Sequence, residues 1–385
     1  MSAMEAPAMS LSGGEIRIVE ATDKAGMRDF IEFPLFLYKD DPFYSPQLCR
    51  DLQSHFTPKN PFFNNADVSF FLAFKNGKLA GRIASIVNHL HIEVQNEKTG
   101  FFGFFECIND RDVADALLDT VCRKLKAKGL LAMRGPMNFS INEECGFLIE
   151  GFSEPPMLMT PCNPPYYDDL MKACGLVKAK DLHAYIRQVR DGDVLPEKML
   201  RVAAIAGKKG IKARLVKKDN FMEAMRGFRE VFNASWEKNW GFVPITEDEL
   251  EYESKRLKPF VVPDLTIVAE KDGEAIGFMC MMPDFNLVLR AMKGRLNPVT
   301  IVKALYYYLK ITDLRMMLLG IKPEYRNKGV DAVLLSEGFK GVKRGKYKRV
   351  EFSWILEDNI NVIRLTEMIG ASLYKRYRIY EKEIR

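Results

Sequence analysis

"GIKPEYRNKGVDAVLL", residues 320–335, reads as the end of a strand, a turn built on Gly329 and the start of a helix. Such a turn can cradle an anion, because a helix start presents unpaired N–H groups and a partial positive charge. Arg326 and Lys328 would add charged donors, and Gly329 would let the backbone approach a ligand closely. The same turn can be a plain connection, and Arg-x-x-Gly spacing alone does not separate the two readings. The order of elements around it does.

That order occurs twice. "FKNGKLAGR" at 74–82 and "EKDGEAIGF" at 270–278 each show a strand, a Lys-(Asn/Asp)-Gly turn and a second strand. Gly77 and Gly273 lie 196 residues apart, as do Gly81 and Gly277, and Asp23 and Asp219. Gly175 and Gly370, and Tyr185 and Tyr380, lie 195 apart. Register kept over so long a span implies a duplicated fold. Each copy reads as strand, helical region, hairpin, strand, helix, strand, helix, strand, which predicts an α/β protein with a mixed sheet flanked by helices. The expected division is a tail over 1–14, a first copy over 15–190, a linker over 191–200 and a second copy over 201–385. The linker is placed at "RQVRDGDVLPEK", 187–198, where apolar periodicity lapses and Gly and Pro appear.

Length and composition agree with two packed domains: 385 residues, 47% hydrophobic. The seven cysteines form no CxxC pair, and their odd number argues against a secreted disulfide framework. A reducing cytoplasm is therefore expected. The start "MSAMEAPAMSLSGG" lacks the pattern of a signal peptide, and no apolar run reaches the roughly eighteen residues of a membrane span. The net charge of +6 is modest and spread out, with its densest run at "GVKRGKYKR", 341–349, and no aromatic-basic interleaving of a known reader module appears, so DNA is not an expected partner. His89 and His91 have metal-compatible spacing but no third ligand in sequence, and no metal is expected.

"MMLLGIKPEYRNKG", followed by "WILEDNINVIRLTEMIGASLYKRYRIYEK", resembles the acyl-CoA N-acyltransferase (GNAT) superfamily. That family places R/Q-x-x-G-x-G/A before its CoA-binding helix, and later an Asn that starts a helix closed by Gly and a hydrophobic residue. Arg326 and Gly329 match the first pattern; Asn359, Gly370 and Ala371 match the second. With the duplication, the chain resembles tandem-domain members, including uncharacterised bacterial N-acyltransferase-like proteins. The resemblance implies two tandem GNAT-like domains, acetyl-CoA or acyl-CoA as co-substrate and an amine as acceptor. It places the cofactor against Leu319, Gly320, Ile321, Arg326, Asn327, Lys328, Gly329, Val330 and Asn359. Two positions depart from the family: Asp331 stands where a small residue is usual, and Thr366 where a proton-donating tyrosine is common. The matching turn of the first copy, "ECINDRDVADALL", is acidic and lacks glycine, so CoA is assigned to the second copy. The first copy is then degenerate, a scaffold or acceptor wall. Its segment 135–167, rich in Gly, Pro, Asn and Glu, is either an ordered packing loop or part of the site.

Acyl transfer from a thioester needs a neutral amine, a polarised carbonyl and a proton for the sulfur. Backbone N–H groups of Leu319 and Ile321 are the candidates for polarisation. Glu357, with Glu144 as rival, is the candidate base, and Tyr374 the candidate acid. Trp236, Asn239, Trp240 and Phe242, in "FNASWEKNWGFVPIT", together with Trp354, are candidates for the acceptor wall. Residues 287–315 insert an apolar, aromatic and basic helix, which packs on the sheet, lines an acyl channel or touches a membrane at the cell's inner periphery. The resemblance favours a lipid or sphingoid amine. A non-catalytic acyl-CoA-binding protein and an aminoacyl transferase using charged tRNA remain alternatives, and the oligomeric state is open.

Overall fold

The two glycine turns fold as the repeat requires. In the computed structural model, which describes residues 14–217 and 219–385, Asn76–Gly77 and Asp272–Gly273 both take positive φ (51° and 74°; 52° and 85°). This is the backbone that tight hairpins need. The expected tail lies outside the described residues except for Gly14. The second glycines also correspond. A side chain at Gly81 would meet Leu117 and Val113, and one at Gly277 would meet Val330 and Leu334. Each glycine lets one helix of its own copy lie close on the sheet.

The first copy comprises β1 (Ile16–Glu20), α1 (Lys24–Leu37), α2 (Cys49–His55), β2 (Ala66–Lys75), β3 (Lys78–Asn88), α3 (His89–Gln95) and β4 (Thr99–Cys107). It continues with α4 (Arg111–Ala127), β5 (Ala132–Gly135), β6 (Phe147–Glu150), α5 (Tyr166–Ala173) and β7 (Val177–Gln188). A connecting helix α6 (Glu197–Lys208) follows, running through the boundary expected at 200–201. The second copy has β8 (Lys212–Leu215), α7 (Phe221–Trp236), α8 (Glu247–Leu257), β9 (Thr266–Lys271) and β10 (Glu274–Pro283). Then come α9 (Asn286–Met292), α10 (Pro298–Tyr308), β11 (Asp313–Ile321), α11 (Val330–Arg344), β12 (Arg349–Leu356), α12 (Ile360–Met368) and β13 (Ser372–Glu383).

Among the described residues all thirteen strands join one sheet in the order β1-β2-β3-β4-β5-β13-β7-β12-β11-β10-β9-β8, with β6 paired to β13. The last strands are exchanged. β13 pairs with β5 of the first copy, β7 pairs with β12 of the second, and β13 and β7 pair antiparallel at the centre. Tyr377 and Ile379 of β13 therefore belong to a core they share with first-copy residues that include Phe30, Phe70, Ile86 and Phe101 of α1, β2, β3 and β4. Tyr185 of β7 belongs to the core beneath α11, with Leu334 and Phe352. The chain cannot be cut at the linker without removing a central strand from each half.

This predicts that residues 14–190 and 197–385, expressed separately, give no cooperative thermal transition, and that co-expression restores one. Ile379→Ala should destabilise the whole chain by about 2–5 kcal/mol in one transition seen by circular dichroism. Two independent transitions would contradict the exchange.

Candidate active site

β11 and β12 run parallel from Asp313 opposite Arg349 to Met316 opposite Phe352 and then part, while β11 continues to Ile321 and β12 to Leu356. On the other edge of β11 the register against β10 slips between Cys280 and Met281, which leaves Met317 bulged. Lys322 N donates to Ile276 O at 3.0 Å. Alternation in an antiparallel ladder then turns Gly320 toward β10, and the N–H groups of Leu319 and Ile321 toward the parted edge. A carbonyl lying between the strands would find donors there.

Beyond this opening, Arg326, Asn327 and Lys328 are exposed, Asn327 and Gly329 take positive φ (58° and 81°), and α11 begins at Val330 with no side chain capping its first turn. The early N–H groups of a helix have no partner within it, so an uncapped start suits an anion. Arg326 also donates to Ser235 O (2.7 Å), which ties the turn to the end of α7. Val330 is buried core. A side chain at Gly329 would strike Val202 of α6 at 2.8 Å. Asn359 caps α12, accepting from Val362 N at 3.4 Å.

The equivalent opening in the first copy is filled by the protein. β4 and β5 part after Phe101 opposite Arg134. Into the gap comes the 136–145 segment: Met137 N donates to Phe102 O (2.8 Å) and Phe104 N to Asn138 Oδ1 (2.7 Å). A side chain at Gly103 would collide with the Met137 carbonyl. The start of α4 is occupied as well. Asp110 accepts from Asp112 N and Val113 N (3.1 and 3.2 Å) and pairs with Lys75.

Where the two copies meet, on the face of the sheet opposite α11, lies a buried polar cluster. Glu351 is fully buried and accepts from the Tyr374 hydroxyl and from Ser353 Oγ (2.5 Å). Arg315 sits 3.6 Å from the same carboxylate and donates to Ser353 Oγ (2.8 Å). It also donates to the carbonyls of Leu158 and Met159 (2.7 and 2.9 Å), while Lys375 reaches Pro155 O (2.5 Å). The 155–160 segment is thereby fastened over the cluster. Burial pushes the Tyr374 hydroxyl well up, reinforced by Glu351, and pushes the Lys375 ammonium down against several carboxylates. Trp354 lies under Arg315 (4.8 Å) and edge-on to Tyr377 (5.9 Å). Glu144 is half-buried and accepts from Gln47 (3.3 Å) and Asn138 (3.5 Å), with its pKa raised by burial and by Glu143.

Glu357 is placed differently from the expectation for a base. It accepts from Lys178 Nζ (2.6 Å) and from Asp181 N (3.1 Å). Burial works to raise its pKa, but these donors outweigh it and hold the carboxyl below its ordinary value. An anion so stabilised is a poor proton acceptor. Among the expected wall residues, Trp236 packs over Gly320 beside the opening and stacks on Phe232 at 4.7 Å. Asn239 N closes the turn after α7 on Trp236 O (2.7 Å). Trp240 leaves the opening to stack with Arg134 and Lys180 of the first copy, and Phe242 is core. Thr366 is buried and donates to Val362 O (2.7 Å) within its own helix, so its hydroxyl is already engaged. His89 and His91 face different carboxylates, Asp67 and Glu97. The sequence reading missed Glu351, Ser353, Arg315 and Lys375. Their signal was polar residues alternating with core positions inside strands, as in "RVEFSWIL".

No protein-family model matches the chain. In sequence it is similar to protein YghO of Escherichia coli (strain K12), 36% identical over 369 residues that cover 94% of each chain. It is also similar to the bacterial ceramide synthase of Caulobacter vibrioides (strain NA1000 / CB15N), 31% identical over 382 residues, 97% of this chain and 99% of that one. In structure it is similar to a tandem GNAT protein from the clavulanic acid biosynthesis pathway, with TM-score 0.57 and 12% identity over 96% of this chain and 99% of the other.

Two buried carboxyls, one in each copy, are pushed toward neutral pH. Burial raises Glu106 to about 7 against Arg82, Tyr38 and Tyr167, and raises Asp284 to about 7. A carboxyl that keeps its proton longer folded than unfolded favours folding fully below its unfolded pKa, and that advantage is lost as pH rises through 7. The thermal midpoint should therefore fall between pH 5 and about pH 8, and Glu106→Gln with Asp284→Asn should flatten the slope. An unchanged slope would show that neither carboxyl holds its proton.

Proposed function

The chain belongs to the family of bacterial proteins that includes YghO and the bacterial ceramide synthase, with the fold of a tandem GNAT protein, and from that premise we propose that it is an acyl-CoA-dependent N-acyltransferase acting on a lipid amine of sphingoid type. The observation that carries this reading is the contrast between the copies. One opening is plugged and its helix capped; the other keeps free backbone donors and an uncapped helix start. A duplication kept only for packing has no need of that difference.

The residues of the second copy fit an acyl-CoA. Arg326, Lys328 and the first-turn N–H groups of α11 would hold its phosphates, and Asp331, half-buried in that turn, is tolerated by the helix dipole. Bound acyl-CoA supplies an activated acyl group. The N–H groups of Leu319 and Ile321 would polarise its carbonyl. Glu351 would take the proton released by the attacking amine, and the Tyr374 hydroxyl would relay it to the departing sulfur, giving its own proton as it takes the one on Glu351, so that no phenolate forms in a site that disfavours it. The net result moves one proton from nitrogen to sulfur. This assignment replaces Glu357.

Thermal shift and thiol-release assays test the reading together. Acyl-CoA should raise the melting midpoint, and Arg326→Ala with Gly329→Glu should abolish that increment, while Asp110→Asn leaves it in place. Tyr374→Phe should lower kcat by roughly a hundredfold without weakening acyl-CoA binding, whereas Glu357→Gln should leave kcat near the parent value. Binding without thiol release across a panel of lipid and soluble amines would favour the non-catalytic reading.

A further inference from the structure

α10 has no buried residue, although its mean hydropathy is that of an interior helix. Val302 is 68% exposed, Leu305 64% and Leu309 83%, and Leu296, Val299 and Ile301 are exposed beside them. A helix apolar on nearly every side is normally enclosed by protein or lipid. α10 is held only along one side, where it packs on α9 and where Tyr308 stacks on Phe285 at 6.0 Å. It is eleven residues long, so it cannot span a bilayer, and among the described residues no helix is long and apolar enough to do so.

The charge of the segment is one-sided. Between Asp284 and Asp313 there is no acidic residue, and five basic ones occur: Arg290, Lys293, Arg295, Lys303 and Lys310. Arg290, Lys293 and Lys303 line an open depression between α9 and α10 together with Tyr306 and Tyr307. Cationic groups with tyrosines beside an exposed apolar helix match the chemistry of a phospholipid interface, where phosphates lie just above the acyl boundary. A soluble partner protein would explain the apolar face but not the exclusive positive charge. The base of the hairpin is firmly seated: Cys49 N donates to Gly294 O (3.1 Å), and Asn286 Nδ2 donates to Pro156 O (2.9 Å).

We propose that α10 and the turn before it form a docking surface for an anionic phospholipid bilayer, with the apolar face of α10 entering the headgroup boundary and the basic residues pairing with lipid phosphates. The surface binds as a monotopic element, parallel to the membrane plane. Its function does not rest on the acyltransferase reading, because binding is measured without turnover.

Sedimentation of the full chain with vesicles tests it. The protein should partition onto vesicles of mixed phosphatidylglycerol and phosphatidylcholine and should be released by high salt. It should bind pure phosphatidylcholine more weakly by roughly tenfold or more. Val299→Asp with Val302→Asp and Leu309→Asp, all at exposed positions, should abolish partitioning with an unchanged melting midpoint. Arg295→Glu with Lys303→Glu and Lys310→Glu should remove the preference for anionic vesicles. Retention of full binding by either triple variant would overturn the proposal. So would a wild-type chain that ignores anionic vesicles and instead forms a dimer, read by light scattering, that the aspartate variant dissolves.

Discussion

The pairing of β7 with β13 is the constraint on which the molecule turns. Each strand ends its own copy yet completes the sheet of the other, so the two copies are joined by backbone hydrogen bonds through the middle of one continuous sheet. A domain interface made of side chains can loosen; a ladder shared through the core opens only at the cost of unfolding both halves. It also brings Tyr374 and Lys375, which follow the second copy's last helix, against Glu351 and under the 155–160 segment of the first copy. The buried cluster exists only because the strands cross over.

Within that shared frame the copies have diverged at matching positions. Gly81 and Gly277 keep the same task of admitting a helix close to the sheet, since any side chain there would strike that helix. The helix starts differ instead. Asp110 supplies α4 with an internal acceptor and Lys75 neutralises it, so the first copy satisfies its own orphan donors. Gly329 supplies α11 with none. The plug in the first copy adds packing for its aromatic core, where Phe139 meets Phe56, Phe62 and Phe104 at 4.9–5.8 Å. The segment that fills this opening also packs the aromatic core of the first copy.

The duplication, the hairpins, α11 and α12 were legible in the sequence because each rests on local chemistry: Gly at positive φ, a cap, an apolar period. The strand exchange was not. β7 and β13 carry the same pattern whichever copy they join, and pairing partners across about two hundred residues leave no local mark. The turn at 326–329 and the free-edge N–H groups of Leu319 and Ile321 were legible as local geometry, because a motif and a strand direction locate them. The surroundings of Glu357 were hidden for a related reason. Its neighbour in sequence is the splayed end of β12, but its neighbour in space is Lys178 of the exchanged strand. Glu351 looked like an ordinary in-strand charge until Tyr374, Ser353 and Arg315 converged on it from three strands.

The same geometry links the surface hairpin to the interior. α9 leaves β10 directly after Asp284, a buried carboxyl within electrostatic reach of Glu351 and Arg290, and Asn286 at its start holds Pro156 of the segment covering the cluster. One short helix thus touches both the cover over the polar cluster and, through α10, the exposed apolar face. On the proposed reading, a lipid amine resting at a bilayer surface would approach from the side on which that cover lies, and its ammonium would reach buried carboxyls before its tail had to leave apolar surroundings entirely. Desolvation would favour the neutral amine that attack requires. A soluble acceptor would gain nothing from such an arrangement, so on that reading the hairpin and the cluster would serve a single path of approach.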